Sequence, residues 1–178
     1  SQCGHLAVLE VLLTKGARVD LANGGFTSLM FACESGHEHC ARALIEAGAA
    51  VDKPDNQGFT PLMSSCQNGH ELCARALIEA KADLEKQTDK GSTALILACQ
   101  DGHELCARAL IEAGANIDAT EEDDWTALML ACQNGHDLCA RTLIKAGANK
   151  KTKAKTGATA LSLAKANKHK AVCALLRG

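Results

Sequence analysis

The sequence predicts an all-α solenoid, and two observations carry that prediction. A Gly-His pair recurs at Gly36-His37, Gly69-His70, Gly102-His103 and Gly135-His136, each 33 residues from the next. The pairs belong to a longer phrase, of which Gly69 to Ala80 and Gly102 to Ala113 are identical at every position. A self-similar unit of about 33 residues marks stacked repeats that bury their apolar faces only against their neighbours. The core then grows by addition, residues 1–178 form one domain, and function is to be sought on a surface that the units share.

Residues 1–22 hold a partial first unit. Only three residues precede Gly4-His5, so a single helix from His5 to Thr14 is expected, and the chain is expected to be a piece of a longer array or a shortened version of one. Full units span 23–54, 55–87, 88–120 and 121–153. In the second of these, Asn56 and Gly58 form a turn, Thr60 is an N-cap and Pro61 takes the first helical position. One helix is predicted over 61–68, ended by Gly69. Another is predicted over 71–80, with Leu72, Cys73, Ala76 and Leu77 as its apolar stripe. Lys81-Ala82-Asp83 then leads through an extended turn. The last unit, 154–178, keeps both helices, sets Lys168 in place of the turn glycine and, with Lys165 and Lys170, forms a polar cap.

This helix, turn, helix, finger pattern resembles the ankyrin repeat, whose marks are a Thr-Pro-Leu-His segment, a Gly-His turn and a Gly-Ala exit. The matching residues are Thr60-Pro61-Leu62-Met63, Gly69-His70, and Gly48-Ala49, Gly114-Ala115 and Gly147-Ala148. The resemblance covers essentially the whole chain and implies stacked ankyrin repeats, helix-turn-helix plus β-hairpin finger, about five and a half units in all. Three departures stand out. Met30, Met63, Ile96, Met129 and Ser162 replace the usual histidine, exchanging a polar contact for apolar packing. Lys81 replaces an exit glycine and is expected in a strained left-handed conformation. The step from Gly16 to Phe26 is one residue shorter than that from Gly48 to Phe59, so the first finger should differ.

Composition narrows the function classes. No run approaches the ~18 apolar residues of a membrane span, and Ser1 begins nothing like a signal peptide. Eight of the ten cysteines follow the repeat, as Cys33, Cys66, Cys99, Cys132 and as Cys40, Cys73, Cys106, Cys139, where small core residues belong. So many free thiols suit a reducing compartment, cytoplasmic or nuclear. Cys3 and Cys173 lie outside both series and are expected to be the more exposed. The net charge of −2 divides sharply: residues 1–144 carry −11 and residues 145–178 carry +9.

The sharpest candidate site is the position before the repeat threonine, held by Phe26, Phe59, Ser92, Trp125 and Ala158. Three of the protein's four aromatics stand there. The resemblance implies that this place lies on the finger and concave groove, where aromatic anchors can each carry about 2 kcal/mol or more of binding. Gln57, Asp89, Lys90, Gln100, Asp101, Glu122, Asp123 and Gln133 flank it, and the run Glu121-Glu122-Asp123-Asp124 favours a basic segment in the partner. The alternative is that the aromatics only pack finger against finger.

Other patterns have simpler explanations. Cys33-x3-His37-x2-Cys40 and its three repeats supply three ligands where zinc takes four at about 2.0–2.3 Å, so no metal and no cofactor is expected. A thiol switch needs exposed thiolates, and these cysteines fall on the packing face. Arg42, Arg75 and Arg108 are expected to pair with Glu46, Glu79 and Glu112, four residues on. The lysines between Lys150 and Lys170 lack interleaved aromatics or arginines, which argues for a soluble cap and against nucleic acid. With no phosphate loop, and with histidines that recur wherever the scaffold does, an enzyme is not expected. The sequence therefore points to a non-catalytic module that binds a protein or peptide through its fingers and groove, monomeric or weakly associated head to tail. A bare scaffold or spacer, natural or engineered, and a thiol- or metal-responsive array are the alternatives.

Overall fold

The repeat threonines start the first helix of each unit. Thr27, Thr60, Thr93, Thr126 and Thr159 are extended at the N-cap, and each side-chain oxygen accepts from the backbone N–H three residues on. A computed structural model describes residues 2–177, with side chains from residue 6 onward. Helix α1 (Gln2–Thr14) is followed by five pairs: α2 (Ser28–Glu34) and α3 (Glu38–Glu46), α4 (Pro61–Gln67) and α5 (Glu71–Glu79), α6 (Ala94–Asp101) and α7 (Glu104–Glu112), α8 (Ala127–Asn134) and α9 (Asp137–Lys145), α10 (Ala160–Ala166) and α11 (Lys170–Arg177). First helices stack on first helices and second helices on second helices, which is a solenoid.

The core lies between these two layers. Leu29, Leu62, Leu95 and Leu128 fill it from the first layer, and Leu44, Leu77, Leu110 and Leu143 from the second. Met30, Met63, Ile96 and Met129, which stand where the family carries histidine, are enclosed as expected. Ser162 at the same position is exposed and completes a capping box with Thr159. Between the helices of a pair, Gly36, Gly69, Gly102 and Gly135 are left-handed, and the histidine of the following unit packs against each. Loop carboxylates also join the units: Asp20 accepts from Ala50 N, Asp52 from Asp83 N, Glu85 from Asn116 N and Asp118 from Asn149 N.

The first finger does differ. Strands β1 (Ala22–Asn23) and β2 (Phe26–Thr27) pair across Gly24 and Gly25, whose φ values of 60° and 86° make a two-residue type I′ turn. Later fingers have the extra residue and close through Asp55 N to Phe59 O, Thr88 N to Ser92 O, Glu121 N to Trp125 O and Ala154 N to Ala158 O. Their left-handed residue is Gly58, Gly91, Asp124 or Gly157. Lys81 is left-handed at φ 64°, as its place at the helix exit requires.

Three expectations are corrected. Helix α1 begins at Gln2 instead of His5 and runs through Gly4. Elsewhere the Gly-His turn is anchored on the carbonyls of the first helix of its unit, as in His37 N to Ala32 O, whereas Gly4 and His5 lie inside α1. Leu72 is 56% exposed, with Leu105 and Leu138 beside it on the outer face of the second helices; only Cys73, Ala76 and Leu77 of the predicted stripe are buried. The arginines pair backwards, Arg42 with Glu38, Arg75 with Glu71 and Arg108 with Glu104, the order that the helix dipole favours. Glu79 and Glu112 face the preceding unit instead, at 2.8 Å from Arg42 and 3.6 Å from Arg75.

Candidate functional site

Backbone bonds hold the fingers in one row: Asp89 N donates to Gln57 O at 3.0 Å, Glu122 N to Lys90 O at 3.1 Å and Lys155 N to Asp123 O at 3.0 Å. Because these contacts use only main chain, the side chains of Gln57, Asp89, Lys90, Glu122 and Asp123 stand exposed along the row. Asp101 is exposed at the end of α6, and Gln100 and Gln133 are half-buried near the ends of α6 and α8.

The aromatics are brought together in part. Phe26 and Phe59 line one groove of about 160 Å³ with Glu34, Gln57, Gln67 and Asn68, at the junction of two fingers and the ends of α2 and α4. Both rings are half-buried. Trp125 is also half-buried but stands two fingers further on, against the core. The finger between them carries Ser92, which is buried and donates to Glu121.

Phe31 joins the cluster and was not foreseen. Its ring meets Phe26 edge to face with centroids 4.7 Å apart, a favourable aromatic geometry, and it is 57% exposed. The equivalent positions hold Ser64, Leu97 and Leu130, all buried. All three phenylalanines of the chain thus gather at one end of the finger face. Phe31 could have been found from the scarcity of aromatics and its place five residues after Phe26.

The acidic run is partly answered from within. Glu121 accepts from Ser92, while Lys155 of the next finger faces Asp123 at 3.8 Å and donates to the Glu122 carbonyl. Glu122, Asp123 and Asp124 remain exposed.

The cysteine ladders interlock across units. All are free thiols, and that of Cys33 faces Cys73 within hydrogen-bonding reach, as Cys66 faces Cys106 and Cys99 faces Cys139. That donated bond, with burial, holds the first-helix thiols well above the ordinary cysteine range, and accepting it lowers the second-helix partners. Cys132 faces no such partner, and burial pushes it up to about 12. Cys173, expected to be exposed, is buried on the packed face of α11, and among the described residues the half-buried Cys40 is the more accessible thiol; the side chain of Cys3 lies outside them. Among the described residues no group of three or more His, Cys, Asp or Glu side chains could hold a metal ion, and no helix is long and apolar enough to cross a membrane.

A solenoid of helix pairs with a row of exposed loop fingers is the architecture of a repeat-built interaction module. The family model for ankyrin repeats (3 copies) matches residues 1–88, 77–154 and 114–178, and the chain belongs to this family. Ankyrin repeats generally mediate protein–protein interaction and are generally non-enzymatic. A comparison with curated proteins gave no match.

Proposed function

We propose that this array binds a protein or peptide partner through its finger face, with Phe26, Phe31 and Phe59 as the apolar anchor. The observation that carries this reading is the shared groove of Phe26 and Phe59, extended by the exposed ring of Phe31. Aromatic side chains in an otherwise aromatic-poor chain are placed where they remain open to a partner. Gln57, Gln67 and Asn68 at the rim supply hydrogen bonds. Trp125 with Glu122, Asp123 and Asp124 forms a second contact further along the row and suits a basic segment in the partner. A cytoplasmic or nuclear setting fits the free thiols.

The test is a pull-down from cell lysate with the array, with Phe26→Ala/Phe59→Ala and with that pair plus Trp125→Ala, after matched circular dichroism and thermal unfolding. A partner retained by the parent and lost from the double variant supports the reading. Retention of the same proteins by all three makes the aromatic row structural and favours the spacer.

A further inference from the structure

The outer face of the second helices carries a self-complementary ladder that stops at α9. Arg42 touches Glu38 of its own helix and Glu79 of the next unit; Arg75 repeats this with Glu71 and Glu112. At the next step the carboxylate of Glu79 and Glu112 is replaced by Lys145, so Arg108 keeps only Glu104. Glu104 is itself shared, since Thr142 donates to it at 3.1 Å. Arg141 occupies the repeat's arginine position, but Asp137, one methylene shorter than Glu104, makes no ion pair with it. Lys145, at the C-terminal end of α9, suits the helix dipole, so its charge is tolerated there without a carboxylate partner.

Arg108, Arg141 and Lys145, with one carboxylate, Glu104, paired to Arg108, thus surround a groove of about 660 Å³ between α7 and α9 that keeps an excess of positive charge, floored by Thr142 and by Leu138, which is 60% exposed. We infer that this groove is a second docking surface, distinct from the finger face, for an acidic amphipathic helix that lays an apolar residue on Leu138 and its carboxylates against Arg108, Arg141 and Lys145. Two neighbouring helices with apolar floor and charged walls match the helix-in-groove mode of recognition, and the missing carboxylates define the sign of the partner.

The substitution Lys145→Glu restores the residue found at positions 79 and 112, so it rebuilds the ladder on a background known to fold in two other units. The experiment measures, by fluorescence anisotropy at 50 mM salt, the binding of a labelled 16-residue helical peptide with Glu at i, i+4 and i+7 around a central Leu. Parent, Lys145→Glu, Leu138→Ser and Phe26→Ala/Phe59→Ala arrays are compared. Binding that weakens at least tenfold in Lys145→Glu and in Leu138→Ser, and is unchanged in the phenylalanine variant, supports the proposal. Equal binding to parent and Lys145→Glu overturns it. Tighter binding of a 20-nucleotide single strand than of the peptide also overturns it, as does a concentration-dependent dimer in sedimentation that Lys145→Glu abolishes, which would make the occupant a second copy.

Discussion

The imidazole of His70 occupies the space that a side chain on Gly36 would need: a Cβ there would lie 2.5 Å from Nδ1 of His70. Nε2 of the same ring donates to the carbonyl of Glu34 at 2.9 Å, since a carbonyl can only accept. One glycine and one histidine, 34 residues apart, therefore lock two units together, and His169 repeats the arrangement with Gly135 and the carbonyl of Gln133.

Gly36→Ala should accordingly be costly. It imposes a left-handed conformation on alanine, about 1–2 kcal/mol, and displaces a hydrogen-bonded ring, about as much again, for a total of about 3 kcal/mol. Gly48 is equally left-handed at φ +85° but has open space around it, so Gly48→Ala should cost only the backbone part, about 1–2 kcal/mol. Urea unfolding of the two variants separates steric interlock from backbone strain. Equal losses would mean that the histidine yields freely.

Left-handed residues other than glycine predict the opposite sign. Lys81 and Asp124 adopt φ 64° and 58° where sister units have glycine, so Lys81→Gly and Asp124→Gly should each stabilise the array by about 0.5–1 kcal/mol. Thermal unfolding reads this directly; an unchanged or lower midpoint would show that local hydrogen bonding outweighs the strain.

The thiols should divide by burial. In a Cys3→Ser background, a disulfide reagent at pH 8 should label Cys40 in the native protein, while Cys33, Cys66, Cys73, Cys99, Cys106, Cys132, Cys139 and Cys173 react only on unfolding. Mass mapping of the labelled peptides checks it. Rapid native labelling of Cys73, Cys106 or Cys139, whose thiols are lowered by the accepted bond, would revive the thiol-responsive reading.

Much of the fold was legible because the repeat fixes register: an N-cap threonine, a Gly-His turn and a buried leucine recur at one spacing, and the helix ends fall within one residue of the expected positions in the unit of Thr60. The surface was less legible. Leu72 satisfies helical spacing for the core stripe, yet Cys73 and Leu77 already fill the core face and leave it outside. Arg42 has a glutamate four residues away on both sides, and spacing alone does not choose between Glu38 and Glu46. Phe31 sits in a column whose other members, Ser64, Leu97 and Leu130, are buried, yet its ring is exposed and packs edge to face on Phe26, which spacing alone does not foretell. The exposure of Gln57, Asp89, Lys90, Glu122 and Asp123 follows from the turns that carry them, whereas the separation of Trp125 from the phenylalanines depends on Ser92, a buried serine in a row of rings.

The most direct test of the central claim is the affinity of a finger-face ligand for parent and variant arrays. A ligand selected from a displayed peptide library on the parent should bind Phe26→Ala/Phe59→Ala at least tenfold more weakly, with the two proteins indistinguishable by circular dichroism, and should change the fluorescence of Trp125, the chain's one tryptophan, if it spans the row. Equal affinity for both arrays would contradict the assignment of the phenylalanine groove as the binding site.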